Sequence, residues 1–376
     1  MIIGVLKEQA PETRVSLVPE VVSALVKMNV EVWVEQGAGD SAFYSDKAYT
    51  DAGAAIKNAG DIMGGADLVL TIDPDNLKGE PKGGAVLMGV YQPLFNGGLM
   101  QRWAEKGYSV FSLDTIPRTT RAQSMDVLSS QANIAGYKAV LLAATTYCRY
   151  FPMFMTAAGS IAPAKVLILG AGVAGLQAIA TARRLGAVVE VFDTRPAVKE
   201  EVMSLGAKFV EVEGAADASK AGGYAVEQSD DFQRRQREKI HEHAKKADII
   251  ITTAQIPGRK APILITKEMI ADMRAGSVII DLASVTGGNT DYTENSKTVM
   301  QNGVAIVGNS ALAATAPSDA SKLYAKNVLN FLKLIIDKEG KLNLNFEDDI
   351  VKGTCITNGG KIVNERVQGT LAAVSS

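Results

Sequence analysis

The stretch that decides the fold covers residues 165–195 and reads KVLILGAGVAGLQAIATARRLGAVVEVFDTR. An apolar run at 166–169 has the length of a β-strand and leads into Gly170, Gly172 and Gly175, spaced as G-x-G-x-x-G. In a strand-turn-helix crossover, the first glycine permits the tight turn and the second lets the backbone approach a pyrophosphate, while the third allows close packing of helix on strand. The stretch therefore predicts a Rossmann-type dinucleotide-binding crossover.

The helix predicted at 176–185 is followed by a second strand at 188–192 that ends in Asp193. An acid at this place accepts hydrogen bonds from the adenosine ribose and disfavours a 2′-phosphate, so the sequence favours NAD(H) over NADP(H). The pyrophosphate is expected at the helix N-terminus, where backbone N–H groups face it. Two alternatives stay open: Arg195 could bind a 2′-phosphate, and the glycines could be purely structural.

The composition is that of an ordinary globular protein of about two domains, since 47% of the 376 residues are hydrophobic and 21% are charged. The net charge of −2 gives no basic excess that would indicate nucleic acid as a partner. Cys148 and Cys355 stand far apart and are expected to be reduced thiols of a cytoplasmic protein. The N-terminus does not resemble a signal peptide, and no apolar run reaches about 20 residues, so we expect no membrane insertion.

Apolar runs of strand length alternate with helical stretches along the chain, which is typical of α/β proteins with parallel sheets. They lie at 2–6, 30–34, 68–72, 85–90 and 109–113, and after Asp193 at 208–212, 248–253, 277–282 and 304–307. A later apolar helix, NVLNFLKLII at 327–336, could pack back onto the N-terminal domain. We therefore predict two Rossmann-like domains with doubly wound sheets. The NAD-binding domain, 136–322, is inserted in a discontinuous N-terminal domain of residues 1–135 and 323–376.

The segment 117–137, PRTTRAQSMDVLSSQANIAGY, is unusually polar and follows the strand at 109–113. It therefore lies at the end of a sheet where α/β proteins place ligand contacts. Its polar side chains could hold a carboxamide and orient a nicotinamide ring; they are Arg118, Arg121, Gln123, Asp126, Ser129 and Ser130. The alternative is a capped helix start stabilised by Asp126.

Two further segments are informative. Residues 214–229 are rich in glycine and alanine around Tyr224, which predicts either a mobile surface loop that closes over a cofactor or an inert linker. A polar helix expected at 230–246 carries His241 and His243, the only histidines of the sequence. The surrounding charges favour a solvated helix face over a metal site.

Four strings carry a resemblance to a known family: RTTRAQSMDVLSSQANIAGYKAV at 118–140, LILGAGVAGLQAIATARRLGAVVEVFDTRP at 167–196, AGGYA at 221–225 and TTAQIPGRKAP at 252–262. Over nearly its whole length the chain resembles the NAD(H)-binding soluble alpha subunit (domain I) of proton-translocating, Re/Si-specific NAD(P) transhydrogenase. The resemblance implies hydride transfer between NADH on this chain and NADP⁺ on a partner subunit, coupled to proton translocation through membrane subunits.

The resemblance also implies roles for individual residues. Arg118, Gln123, Asp126 and Ser129 would position the dihydronicotinamide, with Gln123 nearest the partner's nicotinamide. The implied cofactor contacts are Thr119, Thr120, Ser124 and Met125 in the same segment, Val173 with the three glycines, Asp193, Thr194, Arg195, Gly223 and Tyr224. No metal is implied. Gln255 departs from the family pattern, which has an apolar residue there, and could alter the edge of the cofactor pocket.

The partners implied are a second copy of the chain in a homodimer, an NADP(H)-binding subunit and membrane-spanning subunits. The chain would then be cytoplasmic and peripheral on the inner face of the plasma membrane. Nucleic acid is not among the implied partners.

Alanine dehydrogenase is the nearest alternative, because it shares the early pattern seen here as Lys7, Glu8 and residues 12–15, ETRV. Reductive amination needs proton transfer, and that family has a lysine after the third strand and a histidine after the fourth. Here Thr71 and either Val90 or Tyr91 occupy those places. Hydride exchange between two nicotinamides needs no proton transfer. Arg14 could be a remnant of carboxylate binding or a domain-closing ion pair, and a non-catalytic NAD(H)-sensing module is a third hypothesis.

Overall fold

The computed structural model of the protein describes residues 1–212, 214 and 229–375, with side chains described to residue 372. The chain divides into an N-terminal unit, Met1–Gln131 with Ala314–Ser376, and an inserted unit, Ala132–Ala313. The sequence places these divisions at 135 and 323 instead. The helix after the second division starts with polar residues, so its apolar pattern marks only its later part.

The described strands are numbered in chain order. They are β1 (Ile2–Val5), β2 (Glu31–Glu35), β3 (Ala55–Lys57), β4 (Leu68–Leu70), β5 (Val86–Gly89), β6 (Ser109–Ser112), β7 (Phe154–Thr156), β8 (Gly159–Ile161), β9 (Lys165–Leu169), β10 (Val188–Phe192), β11 (Lys208–Phe209), β12 (Ile249–Thr252), β13 (Val278–Asp281), β14 (Lys297–Gln301), β15 (Val304–Gly308), β16 (Cys355–Asn358) and β17 (Lys361–Ile362).

The described α-helices are numbered in the same way. They are α1 (Pro19–Val26), α2 (Asp46–Asp51), α3 (Ala59–Gly65), α4 (Gly97–Glu105), α5 (Val127–Thr146), α6 (Val173–Arg184), α7 (Lys199–Ser204), α8 (Asp230–Ala244), α9 (Lys267–Ala271), α10 (Pro317–Ile335), α11 (Asp349–Thr354) and α12 (Glu365–Ser375).

The sheet of the N-terminal unit has the order β17-β16-β6-β5-β4-β1-β2-β3. Strands β1 to β6 are parallel, and their order is that of a doubly wound Rossmann sheet. The two C-terminal strands, β16 and β17, extend it in antiparallel pairing at the β6 edge. The C-terminal part of the chain thus completes the first sheet, and the predicted discontinuous N-terminal domain is confirmed as part of the fold.

The sheet of the inserted unit has the order β11-β10-β9-β12-β13-β15-β14. The first six of these strands are parallel and repeat the Rossmann order, and β14 joins the edge in antiparallel pairing with β15. The prediction of two Rossmann-like, doubly wound domains is therefore confirmed. Sequence reasoning missed β14 because its side chains are mostly exposed and its pattern is not that of a buried strand.

Both faces of the inserted sheet are covered, which explains why its strands read as continuous apolar runs. Ile168 and Ile251 belong to one buried cluster, and Leu169 and Ile250 belong to another. Because neighbouring residues of a strand point to opposite faces, one strand supplies both clusters. The predicted strand at 188–192 coincides with β10, since Asp193 and the preceding glycine turn mark its ends.

The polar helix predicted at 230–246 is α8, but the expectation of a solvated face is wrong for one histidine. His243 is buried, and its Nδ1 lies 2.6 Å from a carboxylate oxygen of Glu190 on β10. His241 lies near the surface, with its Nε2 2.8 Å from Asp272. The two histidines therefore bond different carboxylates and do not form a pair.

The apolar helix predicted near the end is the second half of α10, which packs in the core of the N-terminal unit. Val328 and Phe331 are buried there, and the ring of Phe331 lies 5.7 Å from that of Phe111 on β6. Among the described residues, no helix has both the length and the apolar character that crossing a bilayer requires.

Candidate functional site

The turn after β9 depends on its first and third glycines. Gly170 has a φ of +107°, and a Cβ there would press on the hydroxyl of Thr253. A Cβ on Gly175 would overlap the carbonyl oxygen of Gly170. Glycine is therefore required at both positions for the tight turn and for α6 to start close behind the strand.

The second glycine, Gly172, faces open space. It is the N-terminal cap of α6 and has an ordinary φ of −77°. A Cβ built on it would meet no atom of the described residues within 4 Å. Because the first N–H groups of a helix have no partner within the helix, they suit an anion in this space. The geometry fits the pyrophosphate of a dinucleotide.

A fourth glycine, Gly136 on α5, belongs to the same region and was missed by sequence reasoning. A Cβ on Gly136 would overlap the carbonyl oxygen of Ala174 in the first turn of α6. Three residues earlier, Asn133 donates a hydrogen bond of 3.3 Å to Gln177 of α6. Gly136 therefore lets α5 support the start of α6. The signal in the sequence was a glycine inside an otherwise helical pattern.

Asp193, at the end of β10, has an almost fully buried side chain and ties the glycine turn to its own loop. Its Oδ2 accepts from the backbone N–H of Ala171 at 2.7 Å and from Nη2 of Arg195 at 2.7 Å. Its Oδ1 accepts from the backbone N–H of Arg195 at 2.8 Å and from Nε of Arg195 at 2.9 Å. A carboxylate offers about four acceptor positions, so these four bonds saturate it.

The loop after β12, which contains TTAQIPG, is fixed by a buried asparagine. Asn289 donates to the carbonyl of Ala254 at 2.9 Å and accepts from the N–H of Ala254 at 3.1 Å. Gln255 donates from Nε2 to the carbonyl of Leu282 at 3.1 Å and so connects the ends of β12 and β13. Gln255 therefore bridges two neighbouring strand ends.

The polar segment after β6 forms a 3₁₀ turn, Thr120–Met125, followed by α5. Gln123 and Ser124 are exposed, as are Arg118, Thr119 and Thr120, whereas the Met125 side chain lies in the core. Asp126 caps α5, because its Oδ1 accepts from the N–H of Ser129 at 2.8 Å and its Oδ2 from the Ser129 hydroxyl at 2.6 Å. The segment therefore presents Gln123 outward from a capped helix start.

Arg121 has a structural role in the N-terminal unit. Its guanidinium pairs with Asp348 at 2.6 Å and also contacts Asp349, next to the start of α11. These pairs connect the turn to the C-terminal part of the chain. Gly223 and Tyr224, the other residues expected near the cofactor, lie outside the described residues.

The early E-T-R-V pattern forms a local ion pair. Arg14 donates from Nε and Nη2 to the two carboxylate oxygens of Glu12, at 2.8 and 2.6 Å, and from Nη1 to Gln131 at 2.9 Å. All three residues belong to the N-terminal unit. The Arg14 guanidinium lowers the pKa of Glu12 despite the burial of that carboxyl group.

Glu8 is a buried carboxyl group that sequence reasoning did not single out as an ionisable site. It accepts from the N–H of Ile72 at 2.6 Å and of Asp73 at 3.3 Å, and it also contacts the amide of Asn76. Burial raises the pKa of Glu8 to about 7, against the opposing effect of these donors. No local spacing marks this carboxyl group, because its donors lie 64 to 68 residues further along the chain.

Two of the residues weighed against the alanine dehydrogenase alternative, Thr71 and Tyr91, form a buried hydroxyl pair. The hydroxyl groups of Thr71 and Tyr91 lie 3.0 Å apart. Burial raises the pKa of Tyr91 far above its ordinary value. This pair therefore offers no group that exchanges a proton readily near neutral pH.

Comparison with known proteins places this geometry in a family. Residues 4–135 match the family described as "Alanine dehydrogenase/PNT, N-terminal domain", and residues 139–365 match "Alanine dehydrogenase/PNT, C-terminal domain". The chain is 47% identical to an NAD(P) transhydrogenase alpha-subunit protein of Rhodospirillum rubrum, over 98% of this chain and 99% of that protein. The chain belongs to the NAD(P) transhydrogenase alpha-subunit family.

Solved structures agree with this family membership. The crystal structure of transhydrogenase from Sinorhizobium meliloti is 45% identical, with a TM-score of 0.87 over 96% of this chain and 100% of that one. An L-alanine dehydrogenase structure matches with a TM-score of 0.82 over the full length of both chains, but it is 23% identical and shows the shared fold alone. Sequence identity thus distinguishes the transhydrogenase from the alanine dehydrogenase, whereas the fold does not.

Proposed function

We propose that this chain is the NAD(H)-binding component of a proton-translocating NAD(P) transhydrogenase. It exchanges hydride with an NADP(H) molecule held by another subunit. The observation that carries the proposal is the turn after β9, where open space at Gly172 suits a pyrophosphate. Kinship with a transhydrogenase alpha subunit over 98% of the chain supports it.

In the inserted unit, Gly170, Gly172 and Gly175 shape the turn, and Gly172 and Val173 contact the pyrophosphate through their backbone. Asp193, Thr194 and Arg195 bind the adenosine ribose. Because four bonds saturate the Asp193 carboxylate, a ribose hydroxyl replaces one of the bonds from Arg195. A 2′-phosphate would meet the carboxylate, so NAD(H) is preferred over NADP(H).

In the N-terminal unit, Arg118, Gln123, Asp126 and Ser129 orient the nicotinamide. Exposure of Gln123 on a turn fixed by the Asp126 cap supports this assignment. Thr119, Thr120 and Ser124 are further contacts, and we assign a backbone contact to Met125 because its side chain is buried. Gly223 and Tyr224 complete the proposed set.

Bound NADH supplies the hydride, and the protein's contribution is to bind and orient the ring and to exclude water. Transfer between two nicotinamides needs no proton from the protein. The hydroxyl pair of Thr71 and Tyr91 is consistent with such a site, because neither group titrates readily near neutral pH. The proposed partners hold NADP(H) and span the membrane, and this chain associates with them peripherally at the inner face of the plasma membrane.

We further propose a homodimer, and the hairpin β7-β8 supports it. This two-stranded sheet pairs with neither larger sheet; Phe154 and Met155 on it, and Met153 just before it, are exposed. A lone two-stranded hairpin is marginally stable in water, so a second copy that covers it would stabilise it. Met155→Asp should shift the sedimentation coefficient to that of a monomer. Met300→Asp, at another exposed methionine, should not; equal behaviour of the two variants would contradict this interface.

The function is tested by hydride transfer from NADPH, through the isolated NADP(H)-binding transhydrogenase subunit, to an NAD analogue. Reduction of the analogue should depend on this chain. A parallel assay with NADH, pyruvate and ammonium should be silent. Activity in the second assay alone would make the chain an alanine dehydrogenase, and silence in both despite NADH binding would indicate a sensing module.

A further inference from the structure

The 3₁₀ turn that carries Gln123 packs against α10. Ala122 and Met125, three residues apart on the 3₁₀ turn, are both buried in the same cluster as Val328 and Phe331 of α10. Residues i and i+3 of a 3₁₀ turn lie on the same side. The two anchors thus fix one side of the turn and leave Gln123 and Ser124 on the other.

The backbone of the turn is fixed by two asparagines of α10. The carbonyl oxygen of Ser124 accepts from Nδ2 of Asn327 at 2.8 Å and from Nδ2 of Asn330 at 3.1 Å. Asn327 and Asn330 are three residues apart and therefore share a face of the helix. Since a carbonyl oxygen has two lone pairs, both of its acceptor positions are used, and the peptide that follows Ser124 is held in one orientation.

Asn327 is not the residue that stability alone would favour at this place. It is almost fully buried, and its Oδ1 atom has no hydrogen-bond partner among the described residues. An unpaired buried acceptor reduces stability, whereas a leucine of similar size would avoid that cost. A costly asparagine that donates to the turn beside Gln123 indicates a role in holding that turn.

We propose that Asn327 and Asn330 are positioning residues for hydride transfer: by holding the Ser124 carbonyl from α10, they fix the direction in which Gln123 points. The inference rests on the proposed function, in which Gln123 orients the nicotinamide. A small misplacement of reacting groups reduces the rate of transfer steeply while binding changes little. Neither asparagine touches the cofactor in this proposal.

The test replaces Asn327 by leucine, which keeps the volume and removes the donor. Single-turnover hydride transfer with the NADP(H)-binding subunit should slow by about 10- to 100-fold, while the dissociation constant for NADH changes by less than about threefold. The thermal midpoint should stay constant or rise, because the unpaired acceptor is gone. Asn330→Leu, at a half-buried position, should show a smaller loss of rate and serves if the first variant does not fold.

The matched control is Asn96→Leu. Asn96 is half-buried in the N-terminal unit, like Asn330, and donates from Nδ2 to a backbone carbonyl, that of Tyr91, at 2.9 Å. It does not contact the turn, so its rate of hydride transfer should equal that of the wild type. If Asn96→Leu slowed hydride transfer as much as the α10 variants do, the effect would reflect a general loss of stability, and the inference would be overturned.

A double-variant cycle decides whether Asn327 acts through Gln123. Gln123→Asn alone should slow transfer by about 100-fold with little change in NADH binding. If Asn327 positions Gln123, the double variant should be no slower than Gln123→Asn, whereas independent, multiplied losses would overturn the proposal. A wild-type chain that transfers no hydride would refute the proposed function itself, whatever the variants do. Normal transfer by an active wild type and by Asn327→Leu would refute the positioning role alone.

Discussion

The two units share a sheet order and differ in the residues that come after their first strand. In the inserted unit the third residue after β9 is Gly172, which faces open space at a helix N-terminus. In the N-terminal unit the third residue after β1 is Glu8, and its carboxylate accepts the backbone N–H groups of Ile72 and Asp73 beyond β4. One sheet leaves room for an external anion, and the other fills the corresponding place with a carboxyl group of its own.

This difference explains how one fold, used twice, gives two roles. In both sheets this place lies at the edge formed by the carboxyl ends of the parallel strands, where α/β proteins bind ligands. In the N-terminal unit the Glu8 carboxyl group already bonds backbone donors at that edge. The N-terminal sheet has the strand order of a nucleotide-binding domain, but its backbone donors at this edge bond a side chain of the same unit. We therefore expect changes at Gly172 to affect NADH binding and changes at Glu8 to affect the stability of the fold.

The largest effect is expected when Gly172 is given the residue found at the equivalent place of the other sheet. In Gly172→Glu a carboxylate would occupy the proposed pyrophosphate site, and NADH affinity should fall by at least about 100-fold, since like charges in contact cost several kcal/mol. Folding should survive, because a Cβ at Gly172 meets no described atom within 4 Å. Calorimetric titration with NADH and a thermal melt measure both quantities.

Gly172→Gln is the matched control for charge. It adds the same bulk without the carboxylate, so its affinity for NADH should be about tenfold higher than that of the glutamate variant. Unchanged NADH affinity in Gly172→Glu would place the pyrophosphate elsewhere.

The next prediction concerns Glu8 and the pH dependence of the stability of the fold. Because burial raises its pKa from 4.5 to about 7, the folded chain keeps a proton that the unfolded chain releases between these values. The stabilisation from protonated Glu8 is complete below pH 4.5 and is lost as the pH rises through 7, a change of about 3 kcal/mol at most. Glu8→Gln should remove the part of the pH dependence of the unfolding free energy that Glu8 contributes between about pH 5 and 8. Denaturant titrations at several pH values measure it. A variant with the wild-type slope would show that Glu8 does not titrate there.

Asp193 tests the other end of the proposed cofactor site. Asp193→Ala should weaken NADH binding by about tenfold or more, because a hydrogen bond to a charged group contributes about 1.5–3 kcal/mol. Asp193→Asn keeps one oxygen acceptor and should lose less. NADH affinity that is unchanged in the alanine variant, or NADPH bound by the wild type as tightly as NADH, would contradict the ribose assignment.

Gln255 should give the smallest effect. Its amide bridges to the Leu282 carbonyl at an exposed position, so Gln255→Leu, which removes this bond, should change NADH affinity by less than about threefold. A larger change, measured in the same titration, would place Gln255 at the cofactor and make it a determinant of binding in this chain.

The regions of the fold that the sequence predicted are those with local signals. The glycine spacing and the acid after β10 define both strands of the crossover within a residue. Strands β3 and β14 and the hairpin β7-β8 were missed because short or exposed edge strands lack a buried apolar run. Strands β16 and β17 were missed as well, although β16 is buried. Partial exposure hides a strand from reasoning that depends on hydrophobic pattern.

The candidate site shows the same limit more strongly. The glycines and Asp193 were readable because a known motif gives each a role, whereas the saturation of Asp193 by Arg195 depends on side-chain geometry that no spacing encodes. Asn327 and Asn330 reach Ser124 across about 200 residues of sequence. Contacts between such distant residues become visible only in the folded chain.

The bonds between Arg195 and Asp193 have a consequence for turnover. A buried carboxylate that lost a ribose hydroxyl would be left unpaired, and departure of the dinucleotide would be slowed by that cost. In the proposed site Arg195 can take the place of the departing ribose hydroxyl, so that the acceptor positions of the Asp193 carboxylate stay bonded. This arrangement gives up some affinity and favours rapid exchange of spent nucleotide for fresh, which suits a subunit whose cycle ends with product release.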